Sequence, residues 1–226
     1  MSARIALIHA LEESVAPCRA AFAEIWPEAY AFDLLDASLS ADLAAQGGAA
    51  GDALQKRFHD LATYVRNAEG RGGRTQAILF TCSAFGPLIE AVRATSPIPV
   101  LKPNEAAFEA ALDAGSNIGL VVTFGPSEAA LAQEMQDMAA RRGKRIQLRT
   151  IVAEGALDAL KAGDGEAHDQ LAAEAAAKLG EVDIIVLGQF SLARARAAVE
   201  AHTGLRALTT PHSAVRALQA LLQTRS

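Results

Sequence analysis

The chain carries a repeat of its own strand pattern. Laying Arg4-Ile5-Ala6-Leu7 over Asn117-Ile118-Gly119-Leu120 brings Ser14 onto Ser127, a shift of 113 positions. Laying Ile78-Leu79-Phe80-Thr81-Cys82 over Ile185-Val186-Leu187-Gly188-Gln189 gives a shift of 107. Nearly equal shifts for two separate strand pairs point to an internal duplication. The competing explanation is that any two parallel-strand units look alike. Each copy alternates short apolar runs with helical stripes, the pattern of a parallel sheet covered by helices on both faces. The expected fold class is therefore α/β, with two pseudo-symmetric three-layer α/β domains whose parallel sheets face an interdomain cleft.

In chain order, Arg4 to His9 reads as the first strand, Ala10 to Val15 as a loop and Pro17 to Ile25 as a helix opened by proline. Ala31 to Leu35 is a weaker strand, Ser38 to Gly51 a loop rich in Ala, Gly and Asp, and Leu54 to Ala68 an amphipathic helix. Glu69 to Arg74 closes that helix. Ala77-Ile78-Leu79-Phe80 is a buried strand that stops on Thr81-Cys82-Ser83, and Pro87 opens the next helix. Pro97 to Leu101 is a short strand followed by a helix from Ala106 to Ala114. From Asn117 the pattern restarts, with strands at Asn117 to Val122, Arg145 to Val152, Asp183 to Leu187 and Leu205 to Leu208. Helices at Glu128 to Arg142, Ala167 to Leu179 and Ala193 to His202, and a final one after Ser213, fill the intervals. Because the repeat restarts at Asn117 and a strand and helix are left over, the chain is expected to cross between domains near Leu101 and return near Leu205. The first domain is then 1–101 plus 205–226 and the second 102–204.

Composition excludes several classes. A net charge of -5 with scattered Lys and Arg gives no basic field for nucleic acid. No apolar run nears the roughly 18 residues of a membrane helix. Ile5 to Leu11 is too short for a secretory leader and runs into Glu12 and Glu13, so a cytoplasmic protein is expected. Two cysteines, Cys18 and Cys82, fit a reducing compartment with free thiols. The five histidines are too dispersed for ligand spacing, and no Gly-rich phosphate motif appears, so neither a metal nor a nucleotide is expected.

Cys82 is the residue with the most chemistry in its position. It sits at the carboxyl end of a strand, where open α/β sheets bind ligands, and near a helix amino terminus that can hold anions and lower a thiol pKa. The alternative is a small buried hydrophobe. His9 and His212 end strands or begin helices, and each either serves as a base or is a histidine with satisfied hydrogen bonds. Asn104 and Glu105 either contact substrate or cap the helix that starts there. Cys18, a turn into a helix, reads as packing, with a second catalytic thiol as the rival role.

Thr81-Cys82-Ser83, Gly188-Gln189-Phe190-Ser191 and Val122-Thr123-Phe124-Gly125-Pro126-Ser127 together resemble the aspartate/glutamate/hydantoin racemase superfamily, which also holds arylmalonate decarboxylases and maleate isomerases. The resemblance spans essentially the whole chain. It implies two pseudo-symmetric α/β domains, no cofactor, a small carboxylate or dicarboxylate substrate, a place in amino acid metabolism, and proton transfer at the carbon next to the carboxylate. Self-association into a homo-oligomer is left open. Cys82 matches the first of the two cysteines such enzymes commonly use. Gln189 stands where the second is expected, and an amide cannot exchange a proton near neutral pH. What remains is one thiol: a one-sided proton donor, as in the decarboxylases, or a covalent nucleophile, as in the isomerases. His9, Ser14, Thr81, Ser83, Asn104, Thr123, Ser127, Phe190, Ser191 and His212 are the implied substrate contacts. For Ser127, helix capping explains the residue equally well. The rival class is a small-carboxylate-binding protein that has lost the chemistry along with the second thiol.

Overall fold

The computed structural model describes residues 3–48 and 50–224. The chain divides into two units, residues 1–103 with 214–226 and residues 104–213. In the first, β1 (Arg4–His9) lies between β2 (Tyr30–Leu35) and β4 (Gly73–Phe80), and β5 (Val100–Leu101) pairs with β4. All of these pairings are parallel. In the second, β6 (Asn117–Val122) lies between β7 (Gln147–Val152) and β8 (Ile184–Leu187), and β9 (Ala207–Thr209) pairs with β8, again all parallel.

The shared strand order carries the repeat into three dimensions. β1 ends at His9 and β6 at Val122, and each leads through a short 3-10 turn that closes on a serine, Ser14 or Ser127. α1 (Val15–Ile25) and α6 (Glu128–Arg141) follow at once.

Both faces of each central strand are covered, which is why those strands read as unbroken apolar runs. In the first unit Ala6 and Ile8 of β1 and Ile78 and Phe80 of β4 pack on α2 (Ser38–Ala45), α3 (Asp52–Arg66) and α4 (Gly86–Thr95). Ile5, Leu7, Ala77 and Leu79, on the alternate face, are equally buried. In the second unit Ile118, Leu120 and Val122 join α5 (Glu105–Ala114) and α6, whereas Val121 and Leu187 join an alanine-rich layer from α8 (Gly165–Ala177) and α9 (Arg196–Thr203).

Three sequence expectations need correction, and one stretch left unassigned gains an element. The second crossing falls after Ser213 rather than near Leu205, because β9 hydrogen-bonds to β8 and stays with the second unit. Ser38 to Gly51 is not simply a loop: Ser38–Ala45 is helical, with Leu39 and Leu43 one turn apart and both buried. A further short helix, α7 (Ala156–Lys161), precedes α8. Glu69 to Arg74 is a tight hairpin, with β3 (Glu69–Gly70) antiparallel to the start of β4 and Gly72 at φ 82° in the turn between them, a conformation that favours glycine.

Candidate active site

At the carboxyl edge of the first sheet, Thr81 N–H donates to the Ile8 carbonyl at 3.0 Å, so the ladder runs one residue past the end of β4 and fixes where Cys82 begins. Phe80 and Phe85 bracket that loop. Both rings pack on Phe58 of α3, at centroid distances of 5.3 and 4.9 Å. Cys82 is partly buried against this core and Ser83 is similarly placed. A 3-10 turn over Ser83–Phe85 separates Cys82 from α4.

That turn reverses the expected effect on the thiol. Burial pushes the Cys82 thiol above its ordinary 9.0, and the Ala84 N–H offsets this only in part. Cys82 stands upstream of a 3-10 turn instead of within the first turn of α4, so one amide reaches it where a helix end would supply several. At neutral pH Cys82 is a protonated thiol. Cys18, on α1, is wholly buried (0% exposed), and burial together with the charge of Asp33 pushes its thiol well above the ordinary value. Cys18 has no surface to offer a substrate and belongs to the packing.

Beside Cys82, three of the sequence-predicted residues come together. His9 Nδ1 lies 2.7 Å from Ser14 Oγ and 2.9 Å from Thr81 Oγ1, and the two hydroxyl oxygens are 3.0 Å apart. Ser14 donates to the Leu11 carbonyl at 2.7 Å. His9 Nε2 faces Asp33 Oδ1 at 3.1 Å, and Arg19 Nε donates to Asp33 Oδ2 at 2.8 Å. Burial lowers the His9 pKa from 6.5, Asp33 raises it and Arg19 lowers it, with burial dominant. The His9–Asp33 contact is therefore a hydrogen bond from a neutral ring to a carboxylate, not an ion pair, at neutral pH. Asp33 is a neighbour of His9 that sequence reading missed.

In the second unit, Gln189 draws together Thr123 and Ser127. Its carbonyl oxygen accepts the Thr123 N–H at 2.6 Å and the Thr123 hydroxyl at 2.7 Å, and its amide nitrogen donates to Ser127 Oγ at 3.1 Å. Ser127 Oγ donates to the Phe124 carbonyl at 2.8 Å and makes no cap bond to α6, so the capping role expected as an alternative is not filled. Gly188, just before it, packs closely on β6: a Cβ there would stand 2.8 Å from Leu120 Cδ1. Phe190 is buried at 3%, leaving little ring surface for a ligand, and Ser191 is partly buried. The exposed ring of this edge is Phe124, at 47%. Its repeat counterpart, 113 positions earlier, is the exposed Leu11.

Two further predicted residues lie at helix starts. Asn104 precedes α5 and is 1% exposed, yet its side chain makes no cap bond and both amide atoms are without a hydrogen-bond partner. The capping role is thus not realised. His212, in the first turn of α10 (Thr210–Gln223), faces Thr209 Oγ1 through Nδ1 at 2.6 Å. Among the described residues no group of three or more His, Cys, Asp or Glu side chains could hold a metal ion, and no helix is long and apolar enough to cross a membrane.

Two parallel sheets of the same order, each with a hydroxyl-bearing strand edge, define a racemase-like two-domain α/β fold. The sequence matches the Asp/Glu/Hydantoin racemase family model over residues 12–218, and the chain belongs to that family of racemase-type isomerases. Its fold is similar to that of a glutamate racemase isoform from Bacillus anthracis (TM-score 0.74, 12% identity, 99% of this chain and 83% of that one). It is likewise similar to an allantoin racemase from Klebsiella pneumoniae (TM-score 0.70, 16% identity, 99% and 89%). An aspartate racemase homologue from Pyrococcus horikoshii aligns with TM-score 0.65 at 16% identity, over 96% and 98% of the two chains. No curated protein is a significant sequence match.

Proposed function

We propose that this protein is a cofactor-independent enzyme that moves a proton at the carbon next to a carboxylate of a small amino acid or dicarboxylate, with Cys82 as a one-sided proton donor. The observation that carries the reading is the place of the Cys82 thiol, partly exposed just past the carboxyl end of β4, where burial also raises its pKa. A protonated thiol serves a donor and not a nucleophile, so of the two one-thiol chemistries the donor is favoured. In a decarboxylation the carbon–carbon bond breaks, carbon dioxide leaves, and the electron pair left on the α-carbon takes the Cys82 proton. Solvent then reprotonates the thiolate. The carboxylate that stays behind is held by hydroxyls and backbone N–H groups of the Ser14, Thr81 and Ser83 loops. The two unpaired cysteines fit a reducing compartment such as the cytoplasm.

Gln189 favours a second reading, a carboxylate-binding protein without turnover, because its amide is committed to Thr123 and Ser127 and cannot titrate. One experiment separates them. Turnover and carbon-bound deuterium uptake are measured for glutamate, aspartate, allantoin, substituted malonates and maleate, with wild type and Cys82→Ala. Activity lost in Cys82→Ala supports the enzyme; full activity in that variant sinks it. Thermal stabilisation by these compounds with no turnover in either protein supports the binding protein.

A further inference from the structure

The chemistry assigned to Cys82 leaves the buried His9 beside it in the chain fold without a task. His9 is 0% exposed, and both of its ring nitrogens are engaged. The Asp33 carboxylate can only accept, so Nε2 carries the ring hydrogen and Nδ1 of the neutral ring is a lone pair. Facing that lone pair are the hydroxyls of Ser14 and Thr81, each 5% exposed.

The hydrogens can be counted. With His9 neutral, Ser14 gives its hydrogen to the Leu11 carbonyl and Thr81 gives its hydrogen to Nδ1. Both hydrogens point inward, and the hydroxyls turn only lone pairs toward an arriving anion. A proton added at Nδ1 makes that nitrogen a donor to one hydroxyl. Thr81 then loses its acceptor. The inward choices left to it are Ser14 Oγ at 3.0 Å and the Ile8 carbonyl at 3.3 Å, which already takes the Thr81 N–H at 3.0 Å. With Nδ1–H donating to Ser14 Oγ, the Thr81 hydrogen can turn toward a ligand and leave no inward group unfilled, whereas with Nδ1 neutral the same turn strips the ring nitrogen of its donor.

We propose that His9 is a positioning residue that couples the binding of a carboxylate at Ser14 and Thr81 to the uptake of one proton on Nδ1. This rests on the reading that a carboxylate docks at this sheet edge. The groups that act on His9 are Asp33 on β2, Arg19 on α1, Ser14 at the end of the 3-10 turn and Thr81 after β4. The free protein keeps His9 neutral near neutral pH, because burial and Arg19 outweigh Asp33. A bound carboxylate opposes both, and linkage makes the effect reciprocal: acid tightens binding by as much as binding raises the affinity of His9 for a proton.

Malonate titrated into the protein by calorimetry, in two buffers of different ionisation enthalpy near neutral pH, reads the proton directly. We expect uptake of about one proton per malonate, and affinity falling about tenfold per pH unit above the His9 pKa. Nitrogen chemical shifts of the His9 ring should report the Nε2–H tautomer in the free protein and an imidazolium in the complex. His9→Asn, which can hold an amide N–H near the position of Nδ1, should bind malonate without proton uptake and with flat pH dependence. Malonate binding to wild type with no proton uptake and a neutral His9 overturns the coupling and leaves the carboxylate reading standing. Failure of malonate, glutamate and aspartate all to bind overturns the carboxylate reading, and the coupling with it. Should His9→Asn not fold, the wild-type ring shifts decide alone.

Discussion

Gln189 accepts two hydrogen bonds from a single residue, the Thr123 N–H at 2.6 Å and the Thr123 hydroxyl at 2.7 Å. A side chain holding three groups of a neighbouring loop is a brace. Gln189→Ala leaves the Thr123 N–H and hydroxyl without their acceptor, and we expect a loss of about 1–3 kcal/mol in denaturant unfolding. A change within about 0.5 kcal/mol would show that water takes over the role of the amide.

Gln189→Cys adds a titratable group and removes the same brace. Two-sided proton exchange needs an acid or base on each face of a planar carbanion. On the proposed mechanism the wild type delivers protons to one face and yields one enantiomer from a prochiral substrate. Gln189→Cys should raise racemisation of an α-substituted carboxylate that already binds, even as total turnover falls. Chiral chromatography of product from both proteins decides the matter, and a wild type that racemises as fast as the variant would give the second role to another group.

The central strands were legible because Ile5 to Ile8, Ala77 to Phe80, Ile118 to Val122 and Ile184 to Leu187 are covered on both faces and leave continuous apolar runs. α2 was not. Leu39 and Leu43 supply a single apolar pair, and the alanines and serines around them carry no periodicity. At the two sheet edges, Ser14, Thr81 and His9 in the first unit and Thr123, Ser127 and Gln189 in the second could be picked out by residue type at strand ends. Their pairing could not, since His9 meets Asp33 across 24 positions and Gln189 meets Thr123 across 66. The thiol was misjudged for a local reason: Pro87 advertises a helix start, but the 3-10 turn over Ser83–Phe85 keeps Cys82 away from it.

Labelling tests the corrected thiol. Cys82 and Cys18 both have raised pKa values, and Cys18, raised further and fully buried, should be the slower with iodoacetamide in the native protein. Cys82 should react slower than a free cysteine near neutral pH, with a rate that climbs as pH passes the ordinary thiol value of 9.0. Mass spectrometry of the labelled peptides reads both rates, and a Cys82 faster than free cysteine would restore the primed thiolate.

Phe58 holds the Cys82 loop from beneath through Phe80 and Phe85. Phe58→Ala should cost about 3–5 kcal/mol as a core cavity. Phe58→Leu keeps most of the apolar volume and loses the ring contacts. On the proposed mechanism it should lower kcat more than it lowers stability, because the loop carrying the donor is no longer pinned. Equal kcat in Phe58→Leu and wild type would mean that the ladder bond from Thr81 to Ile8 suffices to place Cys82.

The pH dependence of stability follows from His9, and its sign can be worked out. Burial sets the folded-state pKa of His9 below the unfolded value near 6.5, so the unfolded chain binds the proton more readily. The stability this neutral histidine preserves is fully present above the unfolded value. It is lost as pH falls from there through the lower folded pKa, where the buried ring must charge. Thermal melts of the ligand-free protein should therefore show Tm falling on acidification across that window, beyond the loss that the carboxylates cause at lower pH. His9→Asn removes the titrating ring and should flatten this limb. Asp33→Asn removes the group that supports the imidazolium, so it should push the His9 pKa lower still and extend the limb to more acid pH. A limb unchanged in His9→Asn would assign the acid sensitivity to other groups.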